Sequence, residues 1–317
     1  MNFSVITDQF GSLALQGVAL GLIYALVSLG YTMVYGVLRL INFANSEVFM
    51  LGTFATFYLE TYVFNVASSG KQYHGIQVFW VLLASLFASM AVCAVVAMLV
   101  EVVAYRRLRA RGANKLASLI SAIGVSIFLS EGMRIITSSK PLAAPRVLQK
   151  WSFGTFMGAD LRIDTVLTII IPVVVFLVLD RFVTKTRLGK SIRAVSMSEE
   201  NSKLMGININ RVITLTFCIG GLTTGIASFL YTTVYENTGY KVGFTMGIAA
   251  FTAAVLGGIG NLRGAFYGGL ALGVLEQFSS VLLGSQWKSV TVFLVLVVVL
   301  LFKPNGLFGE AVQQTRT

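Results

Sequence analysis

Nine apolar stretches recur along the chain, most of them about as long as a bilayer is thick, and this repetition limits the fold more than any motif. A hydrocarbon core needs about 20 mostly apolar residues per helical crossing. Candidate spans lie near 11–35, 48–66, 78–104, 116–137, 164–181, 212–235, 244–260, 265–284 and 288–302. In lipid every backbone N–H and C=O must pair within its own segment, and no strand-length alternation separates these runs. Each is therefore read as a helix. Hydrophobic residues at 56%, charged residues at 12% and a mean hydropathy of +0.81 exclude an ordinary soluble domain. The expected fold class is all-α: one polytopic integral membrane domain over residues 1–317, with eight or nine transmembrane helices.

A formal net charge of +11 would suit nucleic acid if it formed one patch, but it is divided between loops. Arg106, Arg107, Arg109, Arg111 and Lys115 fall in one loop, and seven Lys and Arg residues lie from Arg181 to Arg211. Basic short loops beside spans mark the cytoplasmic side. Counting outward from them places the tail 303–317 in the cytoplasm, and the N-terminus and the segment 138–163 outside. Nine crossings satisfy that parity. Membrane lipid, not nucleic acid, is the expected surrounding. The first eleven residues carry no Lys or Arg, and the apolar run after them is too long for an h-region, so no cleavable signal peptide is expected.

Motifs for chemistry are sparse. Cys93 and Cys218 each sit in an apolar span and read as small buried hydrophobes. His74 is the only histidine and reads as a surface side chain, so no metal site is expected. The stretch "RLGKS" at 187–191 resembles the end of a phosphate-binding loop, but Thr184 stands where the first glycine is required. In "GIGNLRG" at 258–264 the third glycine comes one residue late and after an apolar span, which excludes a dinucleotide fingerprint. Gly257, Gly258 and Gly260 read instead as a bend where a helix meets the inner face. No cofactor is expected in the chain itself, and no nucleophile–base pair points to an enzyme. Glu131 and Arg134 share a helix face and read as a pair, as do Glu101 and the basic residues after it. Glu276, well inside its span, is a candidate for an interior role.

Two polar stretches stand out. "RLINFANSE" (39–47) separates two apolar runs without Pro or Gly. Polar groups at membrane depth are costly and tend to face protein or a cavity. Asn42, Asn45, Ser46 and Glu47 read either as an interrupted helix beside a substrate path or as a cytoplasmic turn. In either case a helix would start near Val48, capped by Asn45 or Ser46, with Glu47 at its positive end. The second stretch is the loop 184–211. Ser198 suits an N-cap, Glu199 and Glu200 suit a first turn, and Gly206 suits a left-handed C-terminal residue. This two-turn helix offers Leu204 and Met205 to a cytoplasmic partner. The pairs Gly17–Gly21, Gly221–Gly225, Gly243–Gly247 and Gly269–Gly273 have the spacing of close helix contacts, either within the chain or with a partner.

The chain resembles the permease family of branched-chain amino acid ABC transporters, LivH type. The matching stretches are "GLIYALVSLGYTMVYGVLRLINFANSEVFMLG", "EVVAYRRLR", "LISAIGVSIFL", "GKSIRAV", "LMGININRVITLTF" and "AFTAAVLGGIGNLRGAFYGG". They run in family order from about residue 17 to Gly309. Glu200 and Gly206 have the acidic-to-glycine spacing of the cytoplasmic coupling motif in ABC-importer permeases. The resemblance implies a multi-pass subunit of the bacterial inner membrane that imports branched-chain amino acids. It also implies a homologous second permease, two cytoplasmic ATPases that bind the ATP, and an extracytoplasmic amino-acid-binding protein. Asn42, Asn45, Ser46, Glu47, Thr252, Gly257 and Gly258 are then assigned to the substrate path. Ser198, Glu199, Glu200, Leu204, Met205 and Gly206 are assigned to ATPase coupling. One departure is Asn45-Ser46, where the family usually has His-Gly before the glutamate. The alternatives are a gradient-driven carrier or channel for a small neutral solute, and an ABC permease for urea or amides.

Overall fold

The computed structural model describes residues 10–66, 76–148, 152–156 and 159–309. His74 and the tail beyond Gly309 lie outside them. Helices account for nearly all of the fold. α1 (Phe10–Leu38) is followed by α2 (Asn45–Tyr58), which continues into a π-helical turn, Leu59–Val63. α3 (Ile76–Val100) runs through a second π-helical turn, Glu101–Arg106, into α4 (Arg107–Ala110). α5 (Lys115–Ile136) leads to β1 (Leu142–Ala143), β2 (Ser152–Phe156) and β3 (Ala159–Arg162). Then come α6 (Ile163–Lys185), α7 (Arg187–Met197), α8 (Glu199–Leu204) and α9 (Ile209–Tyr235). β4 (Asn237–Thr238), α10 (Val242–Gly257), α11 (Leu262–Leu283) and α12 (Lys288–Phe302) complete the described chain.

Every expected span coincides with a helix, but two of these helices are short. Among the described residues seven helices are long and apolar enough to cross a membrane. α2 and α10, with 14 and 16 residues, are not among them. α7 is an amphipathic helix that the sequence reading left as loop. Its Ile192 and Val195 are buried, while Lys190 and Arg193 stay exposed.

Glycine sets the helix crossings. A Cβ on Gly21 would fall 2.7 Å from the carbonyl oxygen of Leu270, and one on Gly17 would fall 2.9 Å from the Cα of Val274. Gly269 and Gly273 answer from α11, against Ala25 and Gly21. On α9, Gly221 faces Cys93 and Ala94, and Gly225 faces Ser89 and Met90 of α3. Without such contacts two helix backbones could not approach so closely. The glycine faces are thus used inside the chain and are not open to a partner.

Both crossings are antiparallel, because rising numbers on one helix meet falling numbers on the other. α1 and α9 also cross antiparallel, with Gly30 against Thr224 and Val34 against Gly220. The triplets α1–α2–α3 and α9–α10–α11 therefore run in opposite senses. The first helix of each is gripped by the third helix of the other, which is an inverted repeat. α1 lies at the centre: Leu22, Ile23, Ala25, Leu26, Val27 and Leu29 are at most 1% exposed.

The loops sort onto two faces. β1 pairs antiparallel with β4, Leu142 opposite Thr238, so these two connections share one face. The other face carries Arg39, whose Nη2 donates to the Ser196 carbonyl at 3.1 Å. It also carries Arg109, whose Nη2 donates to Asn210 Oδ1 at 2.7 Å, and Arg263, whose Nε donates to Asp180 at 3.0 Å. The segment after α12 closes this face. Leu307 N donates to the Leu256 carbonyl and Phe308 N to the Gly257 carbonyl.

Candidate transport site and coupling helix

The segment after α1 does not turn at the rim; it climbs back into the helix layer. Asn45 Nδ2 donates to Thr224 Oγ1 at 3.3 Å. Thr224 lies 224 − 209 = 15 residues from the start of α9 and 235 − 224 = 11 from its end. At 1.5 Å per residue these are about 22 and 16 Å, so α2 begins near mid-depth. The helix starts at Asn45 and not near Val48, and neither Asn45 nor Ser46 caps it. Ala44 takes the cap position without a side-chain bond. The turn is instead made by Asn42, whose Oδ1 accepts from Ala44 N at 3.2 Å, and by Ser46, whose Oγ donates to the Phe43 carbonyl at 2.6 Å. These local bonds close the chain into helix three residues early.

Glu47 sits in the first turn of α2 and is 1% exposed. Its Oε1 accepts from Ser126 Oγ of α5 at 3.3 Å and from Ser46 Oγ at 3.4 Å, while Oε2 has no partner. Across from it begins α10. A Cβ on Gly243 would stand 2.7 Å from Glu47 Oε2, and Gly247 packs on Ser46. Glycine at 243 therefore lets a helix start approach a carboxylate that any larger residue would push away. α2 and α10 run antiparallel, so two helix N-termini, each with a positive dipole end, meet around one buried carboxylate. Tyr31 faces Ser46 and Glu47 from α1 and packs its ring 6.4 Å from Phe251. Tyr105 closes the lower side by donating to Asn42 Oδ1 at 3.1 Å.

The structure brings Asn42, Asn45, Ser46 and Glu47 together and adds Gly30, Tyr31, Ser126, Thr224 and Gly243. These partners come from helices far apart in sequence; the Gly243–Gly247 spacing was the one local signal. Thr252 lies farther along α10, fully buried, with its hydroxyl spent on the Ile248 carbonyl at 2.8 Å. Gly257 and Gly258 are remote from Glu47. Gly257 packs on Gly264, and Gly258, at φ +104°, packs on Gly309 and Asn305. They form the bend at the basic face.

The loop 184–211 folds as α7 and α8. Ser198 Oγ accepts from Asn201 N at 3.3 Å, and Glu199 and Glu200 occupy the first turn. Gly206, at φ +76°, ends α8 with a paired lock: its N–H donates to the Lys203 carbonyl and that of Ile207 to the Ser202 carbonyl, each at 3.0 Å. This is the C-terminal arrangement that glycine accommodates without a Cβ clash. Leu204 and Met205 are 86% and 82% exposed, and Met197 at the end of α7 is 86% exposed. The three other acidic residues that the sequence singled out near spans are paired. Glu131 accepts from Arg134 Nε at 2.5 Å, Glu101 holds Arg106 and Arg109, and Glu276 accepts from the Tyr24 hydroxyl at 2.7 Å.

Comparison with known proteins agrees with this architecture. The model of a family described as branched-chain amino acid transport system / permease component matches residues 13–300. The high-affinity branched-chain amino acid transport system permease protein BraD of Pseudomonas aeruginosa is 41% identical, over 93% of this chain and 94% of its own. LivH of Salmonella typhimurium, of the same description, is 38% identical over the same shares. The fructose import permease protein FrcC of Rhizobium meliloti is 25% identical over 58% of this chain and 54% of its own. No solved structure matches the chain. A multi-pass helical chain whose sequence fits one family model from its first span to its last is a permease component of a multi-subunit transport system, and it belongs to the branched-chain amino acid permease family.

Proposed function

We propose that this chain is the membrane subunit of an ABC importer for branched-chain amino acids. A homologous second permease, two cytoplasmic ATPases and an extracytoplasmic amino-acid-binding protein complete the machine. ATP is bound by the ATPases, and the chain needs no cofactor of its own. The basic face is cytoplasmic and the face carrying β1 and β4 extracytoplasmic, in the bacterial inner membrane. The observation that carries the reading is the meeting of the α2 and α10 starts around Glu47 at mid-depth.

A free amino acid crosses as a zwitterion, and both of its charges need polar partners where water is excluded. Glu47 supplies an acceptor for the ammonium group. The first-turn N–H groups of α2 are already held by the Asn42, Phe43 and Ala44 carbonyls, so the start of α10 supplies the donors for the carboxylate. Asn45 and Ser46 take the positions where the family usually has His-Gly, so this chain presents an amide and a hydroxyl in place of an imidazole. With Asn45, Ser46 and Glu47 at 2%, 6% and 1% exposure, the site is closed. α5 is the element whose displacement opens it, because Ser126 is its polar contact to Glu47 and most of its surface is exposed.

At the cytoplasmic face α8 presents Leu204 and Met205 to an ATPase. A gradient-driven carrier has no evident use for such a projecting, capped helix. The test is leucine uptake by the assembled transporter carrying Glu47→Gln. Uptake should fall at least tenfold while membrane abundance is unchanged. Uptake at the wild-type rate would remove Glu47 from the path.

A further inference from the structure

A cavity of about 280 Å³ opens on the basic face between α8, the start of α9 and the π-helical turn after α3. Arg106, Arg109 and Lys203 line it together with Asn208 and Asn210, and Glu199 is the one carboxylate on its wall. Beneath the cavity Glu101, fully buried, accepts from Arg106 Nη2 at 2.7 Å and from Arg109 Nη2 at 3.4 Å. Thr214 Oγ1 donates to the same carboxylate at 3.0 Å. One carboxylate thus holds two guanidinium groups in place without matching their charge. Arg109 Nη1 is buried and has no acceptor. α9 adds its positive end, since the Asn208 side chain caps only Arg211 N and leaves the N–H groups of Ile209 and Asn210 without a cap acceptor.

We propose that this cavity binds a phosphate group, taken from an anionic lipid headgroup or from free phosphate. Fixed guanidinium forks and a helix start are the chemistry that recognises phosphate oxygens. A basic pocket between helices at this border fits a headgroup whose acyl chains follow the exposed Leu99, Val102 and Val103 of the same helix. Glu199 and Lys203 belong to α8, so a bound phosphate also ties the projecting helix to the base of α9. That consequence rests on the coupling role proposed for α8; the binding itself does not.

The full chain, purified in detergent and stripped of lipid, is titrated with phosphatidylglycerol, phosphatidylcholine or inorganic phosphate while thermal unfolding is followed. Phosphatidylglycerol should raise the midpoint and phosphatidylcholine should not. Inorganic phosphate raising it equally assigns the site to the free anion, and phosphatidylglycerol acting alone assigns it to the lipid. Lys203→Gln should weaken the effective ligand about tenfold, as loss of one charge-assisted bond requires. Arg109→Ala should weaken it further, but it also disturbs the Glu101 cluster, so Lys203→Gln is the deciding variant. Lys190→Gln, on α7, should leave affinity unchanged. The proposal is overturned by equal responses to the two lipids, by no response to any of the three, or by unchanged affinity in Lys203→Gln.

Discussion

Gly21 and Gly36 lie on the same helix under opposite constraints. A Cβ at position 21 would meet the Leu270 backbone at 2.7–2.8 Å, whereas at position 36 nothing lies within 4 Å. Gly21→Val should cost about 1–3 kcal/mol or more, because backbone cannot step aside as a side chain can. Gly36→Ala should gain about 0.4–1 kcal/mol from a less flexible unfolded chain. Detergent-extracted folded protein, followed by fluorescence-detected size exclusion, should drop for the first and hold or rise for the second. At the site, Asn45 and Thr224 share long bonds of 3.3 and 3.4 Å, so their stabilising contribution is small and their polarity is what remains to be explained. Asn45→Leu should spare abundance and lower leucine uptake strongly, while Asn45→Ser should keep most of it. Equal uptake in both variants would reduce the segment to an ordinary connection.

α8 is the element on which sequence and structure agree in most detail, and the reason is that helix ends are encoded locally. Ser198, the two glutamates and Gly206 act through neighbours within a few residues, so their pattern could be read without knowing the fold. Gly206→Val would force a β-branched residue to φ +76°, strained by about 1–2 kcal/mol. It should uncouple ATP hydrolysis from uptake while leaving the spans inserted, which paired ATPase and uptake assays would show. Leu204→Ser with Met205→Ser should release the ATPases on purification without unfolding the chain, since both side chains are exposed. Other features were legible only in part. The apolar runs located the seven long helices and both short ones, but hydropathy has no sense of depth. It could not show that α2 starts beside Thr224 or that α10 is too short to span. The α7 helix was hidden because Ile192 and Val195 are its only fully buried aliphatic side chains, set among charged residues. Thr252, Gly257 and Gly258 followed the family stretch, yet only the fold separates the bend from Glu47.

At the scale of the molecule, the inverted triplets explain why two polar helix starts can be held in the interior. Each short helix packs on the first helix of the other triplet and on the third helix of its own, so the buried polar groups meet protein and not lipid. What the chain lacks is a second wall. Few residues of α5 and α12 are buried, and Ile120, Phe128, Phe293 and Leu301 are among the exposed side chains. α5 is the helix that touches Glu47 through Ser126, so a path opened there leads out of the subunit and not through its centre. A path bounded on one side by lipid would leak or fail, which is the physical reason to expect a second permease against that face. The internal use of the glycine pairs removes them as the docking surface and leaves the exposed aliphatic faces, of which that of α5 is the one that also reaches Glu47. Reconstituted alone in liposomes, the chain should therefore give no ATP-driven leucine uptake. Uptake should appear when the homologous permease, both ATPases and the binding protein are present together. Phe128→Lys, on the exposed face of α5, should prevent copurification of the second permease while the chain itself stays folded. Leucine flux through liposomes holding this chain alone would overturn the pairing and favour a self-sufficient carrier or channel.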